Sequence, residues 1–153
     1  MNRRDQIKLT DAEQTEFLDQ QRVVICATNG PRGWPHLMPL WYVVRDGELW
    51  SWTYGKSQKV RNLERDARAT ATIESGDTYE QLRGVMIEAR VELHRELEVV
   101  AKLGAELLAR YGGGPVTPEI EAAVASQAPK RVALRFVPER STSWDHRKLG
   151  NTY

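Results

Sequence analysis

The chain has 153 residues, 41% of them hydrophobic and 28% charged, with 22 basic and 21 acidic side chains and a net charge of +1. That length suits one domain with a core large enough to need no disulfide, so the whole chain, 1–153, reads as a single domain and its one cysteine, Cys26, as core filler. Interleaved charges of both signs leave no basic block for nucleic acid. The Met1 to Leu9 segment has no apolar stretch behind its arginines, and the longest apolar run, Leu37 to Val44, is too short to span a bilayer, so neither export nor a membrane is expected. A lone cysteine fits a reducing compartment, and the chain is read as cytoplasmic.

Thr10 to Gln21 predicts a short amphipathic helix, capped by Thr10 or Asp11 and contributing Phe17 and Leu18 to the core. Arg22 to Thr28 is a continuously apolar, β-branched run, predicted to be a strand buried on both faces. A turn cluster, Asn29 to Gly33, leads to a second strand, Trp34 to Val44. Arg45-Asp46-Gly47 then forms a hairpin into a third strand, Glu48 to Thr53. Pro39 cannot donate to a ladder, so the second strand is an edge, is bulged, or faces something other than a strand there.

Ser57 to Asp66 predicts a helix with Ser57 as N-cap and Val60, Leu63 and Ala67 on its apolar face. Strands follow at Arg68 to Glu74 and at Arg83 to Leu93, where Val85, Ile87, Ala89, Val91 and Leu93 alternate with Met86, Glu88, Arg90 and Glu92. Glu96 to Arg110 is a helix stopped by Gly112-Gly113-Gly114-Pro115, Pro118 to Ala125 a further short helix, and Lys130 to Val137 the sixth strand. The tail carries Trp144 to Lys148. Six strands joined by tight turns, with short helices between, point to a small antiparallel barrel, mainly β with flanking helices (α+β).

Protein-supplied nucleophilic chemistry has no support. His36, His94 and His146 lack metal-ligand spacing, and no nucleophile elbow, P-loop or dinucleotide fingerprint occurs. The informative stretch is Thr53-Tyr54-Gly55-Lys56-Ser57-Gln58-Lys59, where a strand meets a helix. Two lysines crowd a helix N-terminus, whose dipole disfavours cations, and a bound anion would reverse that sign. The Thr53 and Ser57 hydroxyls, the helix N–H groups, Lys56 and Lys59 form a candidate phosphate cradle; the alternative is a solvated lysine pair beside a simple cap. Five tryptophans among twelve aromatics, several on the strands beside the cradle, suit a ring-bearing phosphorylated ligand or plain core packing.

From Arg22 to Leu93 the order of strand, Asp-Gly hairpin, T-x-x-x-S-x-K, helix ending N-L-x-R-D and strand resembles the pyridoxamine 5′-phosphate oxidase-like superfamily. The resemblance implies an antiparallel split β-barrel of the FMN-binding type. It also implies a phosphate held by Thr53, Ser57 and Lys59, with Lys56 nearby, and a homodimer with the cofactor at the subunit interface. His36 and Trp41 stand where the pyridoxamine-phosphate enzymes have Arg and Lys, and Gln58 where they have Arg, which argues against that substrate. Leu37 to Trp41 and the Trp144 to Lys148 tail look more like the branch that uses the deazaflavin coenzyme F420. That likeness implies ring packing by Met38, Pro39, Leu40 and Trp41 and a looser contact from Trp144. The expected activity is hydride transfer to an electron-poor double bond of a small organic substrate. No general acid is assigned: His36 is either a proton donor or an ordinary strand histidine. FMN is the alternative cofactor, and a non-catalytic binder of a flavin-like or haem-like ligand the alternative role. Arg61, Arg65 and Arg68 either line a basic groove for a longer anionic tail or are solvated charges.

Overall fold

The computed structural model describes residues 2–150. In chain order it contains α1 (Arg3–Gln6), α2 (Asp11–Gln20), β1 (Val24–Asn29), β2 (Pro35–Leu40), β3 (Val43–Arg45) and β4 (Glu48–Tyr54). Then come α3 (Gln58–Arg65), β5 (Arg68–Ser75), β6 (Arg83–His94), α4 (Leu97–Gly112), α5 (Pro118–Gln127) and β7 (Arg131–Asp145). The strands form one antiparallel sheet in the order β2-β1-β5-β6-β7-β4-β3. Its inner face packs Val24, Cys26, Leu49, Ile73, Val85 and Phe136 into one core, so strands from both halves of the sheet share an interior. This is the split barrel, with β2 and β4 brought near each other but not laddered.

Among the described residues there are seven strands where the sequence suggests six. The predicted second strand breaks at Trp41-Tyr42 because Tyr42 is drawn inward: its ring is fully buried, and its hydroxyl lies 2.6 Å from Leu18 O and 3.0 Å from Gln21 O. Its backbone N–H donates to the Tyr111 hydroxyl at 2.9 Å. The break sends β2 and β3 to opposite edges of the sheet. β1 also departs from expectation: Val24, Cys26 and Thr28 are buried, but Ile25 and Ala27 on the other face are only half-buried. The last strand runs past Val137: β7 continues to Asp145 and pairs with β6 from Ala133 onward, shifting register once between Glu88 and Ala89, and His146–Leu149 follow as a short 3-10 turn.

A second apolar cluster lies outside the barrel, where Val100, Leu103 and Leu107 of α4 pack with Val43 and Ala133 against Trp50 and Trp52. From α4, Arg110 reaches the C-terminus of α2 and donates to Leu18 O, Asp19 O and Gln21 O at 3.2, 2.9 and 2.8 Å. The last turn of α2 has no basic residue of its own, so Arg110 supplies both the missing donors and the charge favoured at that end. Arg110→Ala is expected to cost about 1–3 kcal/mol of stability, read from urea denaturation. An unchanged midpoint would show that water replaces these bonds without penalty.

Candidate functional site

β4 delivers Thr53 inward, and the turn Gly55-Lys56-Ser57 passes directly into α3. The turn is pinned to the start of β7: Gly55 N–H donates to Lys130 O at 2.9 Å, and a Cβ at Gly55 would lie only 3.3 Å from Val132. Ser57 holds the N-cap position with extended backbone, yet its hydroxyl makes no capping bond and is buried without a partner. No acidic residue sits in the first turn of α3. Lys59, 6% exposed, donates from Nζ to Thr53 Oγ1 at 3.0 Å. Burial pulls its ammonium below the ordinary lysine range; Cys26 opposes that shift and Arg131 adds to it.

Thr53, Ser57 and Lys59 are thus brought together, with Lys56 exposed at the rim. A buried ammonium answered only by a neutral hydroxyl, beside an unpartnered hydroxyl and free helix N–H groups, is an arrangement that an anion would complete. These residues fit a phosphate. Below them Cys26 is buried, and burial pushes its thiol up to about 11, which keeps it protonated and inert.

The register of β1 with β2 pairs Cys26 with Met38, Val24 with Leu40 and Thr28 with His36, which places those β2 residues on the inner face. Pro39, opposite Ile25, falls on the outer face of an edge strand, where its missing N–H is tolerated. Trp41 lies past the end of β2, stacked on Tyr111 with centroids 4.2 Å apart and planes 6° from parallel, its other face half-exposed. Trp144 pairs with Gly84 near the far end of β7, whereas Thr53 pairs with Val132 near its start. One chain therefore does not bring Trp144 to the cradle. His36 Nδ1 is buried without a partner.

Two groups escape a linear reading. Asn62 is fully buried, donates to Thr28 Oγ1 at 3.0 Å and accepts from Gln58 at 2.8 Å, locking α3 onto β1. Arg131 lies with its guanidinium 3.9 Å from the Tyr54 ring centre and 4.9 Å from that of Trp52, because Tyr54 pairs with Arg131 in the sheet. No spacing in the sequence connects those positions. Arg65 and Arg68 are occupied elsewhere: Arg65 donates to Asn29 O at 2.9 Å, and Arg68 chelates Asp66 at 3.0 and 2.8 Å. Among the described residues, no group of three His, Cys, Asp or Glu is placed to hold a metal ion, and no helix is long and apolar enough to cross a membrane.

The sequence profile described as Pyridoxamine 5′-phosphate oxidase matches residues 10–145, which include the barrel and the cradle. The chain belongs to that family. Within the pyridoxamine 5′-phosphate oxidase family fold, it is similar to the conserved hypothetical protein Rv2991 from Mycobacterium tuberculosis. The two are 43% identical, with a TM-score of 0.91 over 100% of this chain and 95% of that one. It also shares the fold of a solved F420 reductase (21% identity, TM-score 0.64, 83% of this chain and 94% of that one). A FAD-binding protein from Mesorhizobium loti has it too (17% identity, TM-score 0.67, 89% and 94%). No curated protein matches the chain.

Proposed function

We propose that this protein is a cytoplasmic, homodimeric oxidoreductase that uses coenzyme F420 to pass hydride to an electron-poor double bond of a small organic substrate. The observation that carries the reading is the buried Lys59–Thr53 pair beside the unpartnered Ser57 hydroxyl, a donor set that lacks only an anion. Bound in reduced form, the deazaflavin supplies the hydride. Thr53, Ser57 and Lys59 hold the phosphate, and Lys56 adds charge at the rim. Met38 and Leu40 give the inner face of β2 an apolar wall for the ring system, Pro39 keeps that edge free of a further strand, and Trp41 offers its open face. Trp144 joins the site only from a second copy of the chain, so the dimer is integral to this reading. The departures at His36, Trp41 and Gln58 support a cofactor and substrate other than those of pyridoxamine-phosphate oxidation, and the fold shared with an F420 reductase is consistent with the choice.

Parallel fluorescence titrations with FMN and coenzyme F420 test the proposal. Saturable F420 binding, tighter than FMN binding, is expected. Preference for FMN would move the protein to the flavin branch, and uptake of neither would overturn the reading. Sedimentation at increasing concentration is expected to show a dimer; a concentration-independent monomer would defeat the interface site.

A further inference from the structure

Trp41 is anchored on both sides of the strand break. Its carbonyl accepts from Ser51 Oγ of β4 at 2.6 Å, and the next amide, Tyr42 N–H, donates to the Tyr111 hydroxyl at 2.9 Å. That hydroxyl in turn donates to Arg22 O at 2.5 Å, so one phenol ties the last turn of α4 to the segments entering β1 and β3. Burial pushes the phenol up, which keeps its proton in place for that bond. The Tyr111 ring cannot turn aside: the guanidinium groups of Arg22 and Arg110 lie 5.5 and 5.8 Å from its centre, and Arg22 is itself held by Arg110 O at 2.9 Å. Trp41 covers this fixed ring at a centroid distance of 4.2 Å, with the planes 6° from parallel.

The stack does little for the core. Tyr42 already fills the interior at this point, and among the described residues Trp41 belongs to neither apolar cluster, with half of its surface exposed. A large ring that is held rigidly yet left open to water suits a contact surface. Its freedom has been removed in advance, so a flat ligand that stacks on it orders nothing further.

We infer that Tyr111 is a positioning residue, which acts through Trp41 and fixes the angle at which the open face of the indole meets the planar ring of the cofactor. The inference deepens the reading of the site given above and rests on it. It gives α4, a helix outside the barrel, a part in orienting the ring system, which the phosphate cradle by itself does not orient.

A double-mutant cycle separates positioning from structural support. It is read by fluorescence titration of the whole protein with F420 or FMN, whichever binds more tightly. Tyr111→Leu is expected to weaken that binding about fivefold, within the range of one stacked aromatic pair. Combined with Trp41→Ala, the same substitution should have no further effect on binding, although it lowers the thermal midpoint in both backgrounds. Tyr111→Phe, which keeps the ring, should recover most of the affinity. Tyr111→Gln can still meet Tyr42 N–H and Arg22 O but offers no ring, and it serves with the same expected results if Tyr111→Leu fails to fold. Unchanged binding in the ringless variant, or a loss that persists once Trp41 is removed, would overturn the inference and leave the cofactor reading standing. So would binding that is indifferent to Trp41→Ala. Uptake of neither coenzyme would overturn both.

Discussion

Lys59→Met is expected to stabilise the ligand-free protein by about 1 kcal/mol or more while weakening a phosphate-bearing cofactor by about 1–3 kcal/mol. The two effects have opposite signs because the same ammonium causes both. Without an anion, it is a nearly fully buried charge whose neighbours are a neutral hydroxyl, a thiol and another cation, Arg131. Methionine matches its unbranched stem and removes the desolvation cost. Urea denaturation reads the first effect and fluorescence titration the second.

The pH dependence adds a check. Lys59 is held below its unfolded value of 10.5, so the unfolded chain binds the proton more tightly. The penalty is fully present below the folded pKa and disappears as pH rises from that value towards 10.5. The stability gap between Lys59→Met and the original protein should therefore narrow in alkali. A variant that loses both stability and binding would make Lys59 a structural residue instead.

Gly104→Ala is expected to cost about 1–3 kcal/mol, the usual range for overpacking. A Cβ at Gly104 would lie 2.3 Å from the Trp52 ring, so α4 approaches β4 as closely as it does only because that position has no side chain. Trp52 cannot retreat freely, since Arg131 covers its ring at 4.9 Å. Displacing the ring moves Arg131, so a lower thermal midpoint should be accompanied by altered tryptophan fluorescence. A lower midpoint with unchanged tryptophan fluorescence would show that α4 moves instead of the Trp52 ring.

The cradle was legible in the sequence because its three donors lie within seven residues, at a strand end and the first turn of the helix after it, where local geometry alone sets their spacing. Trp144 and Trp41 were harder to place. Their chemistry suggests contact with a flat ligand, but Trp144 lies over Gly84 at the far end of β7 and Trp41 is claimed on one face by Tyr111. Of the arginines singled out in the sequence, Arg61, Arg65 and Arg68, which follow the cradle closely in the chain, Arg65 is tied to Asn29 and Arg68 to Asp66.

By itself the sequence determined the local events. The Thr10–Glu13 capping box closes with bonds of 2.8 and 3.2 Å, and Asp46 and Gly47 turn the β3–β4 hairpin with φ of 51° and 78°. Gly113 stops α4 at φ 74°, and β6 alternates as its pattern requires. Each of these depends on residues a few positions apart, whose sterics and hydrogen bonds are complete within one turn or one strand. Only the tertiary structure decided that the chain breaks at Trp41-Tyr42, that β2 and β3 take opposite edges, and that Tyr54 meets Arg131. Those outcomes depend on the register in which distant strands close the barrel and on what Tyr42 gains by burial against α2, and no local pattern carries that information.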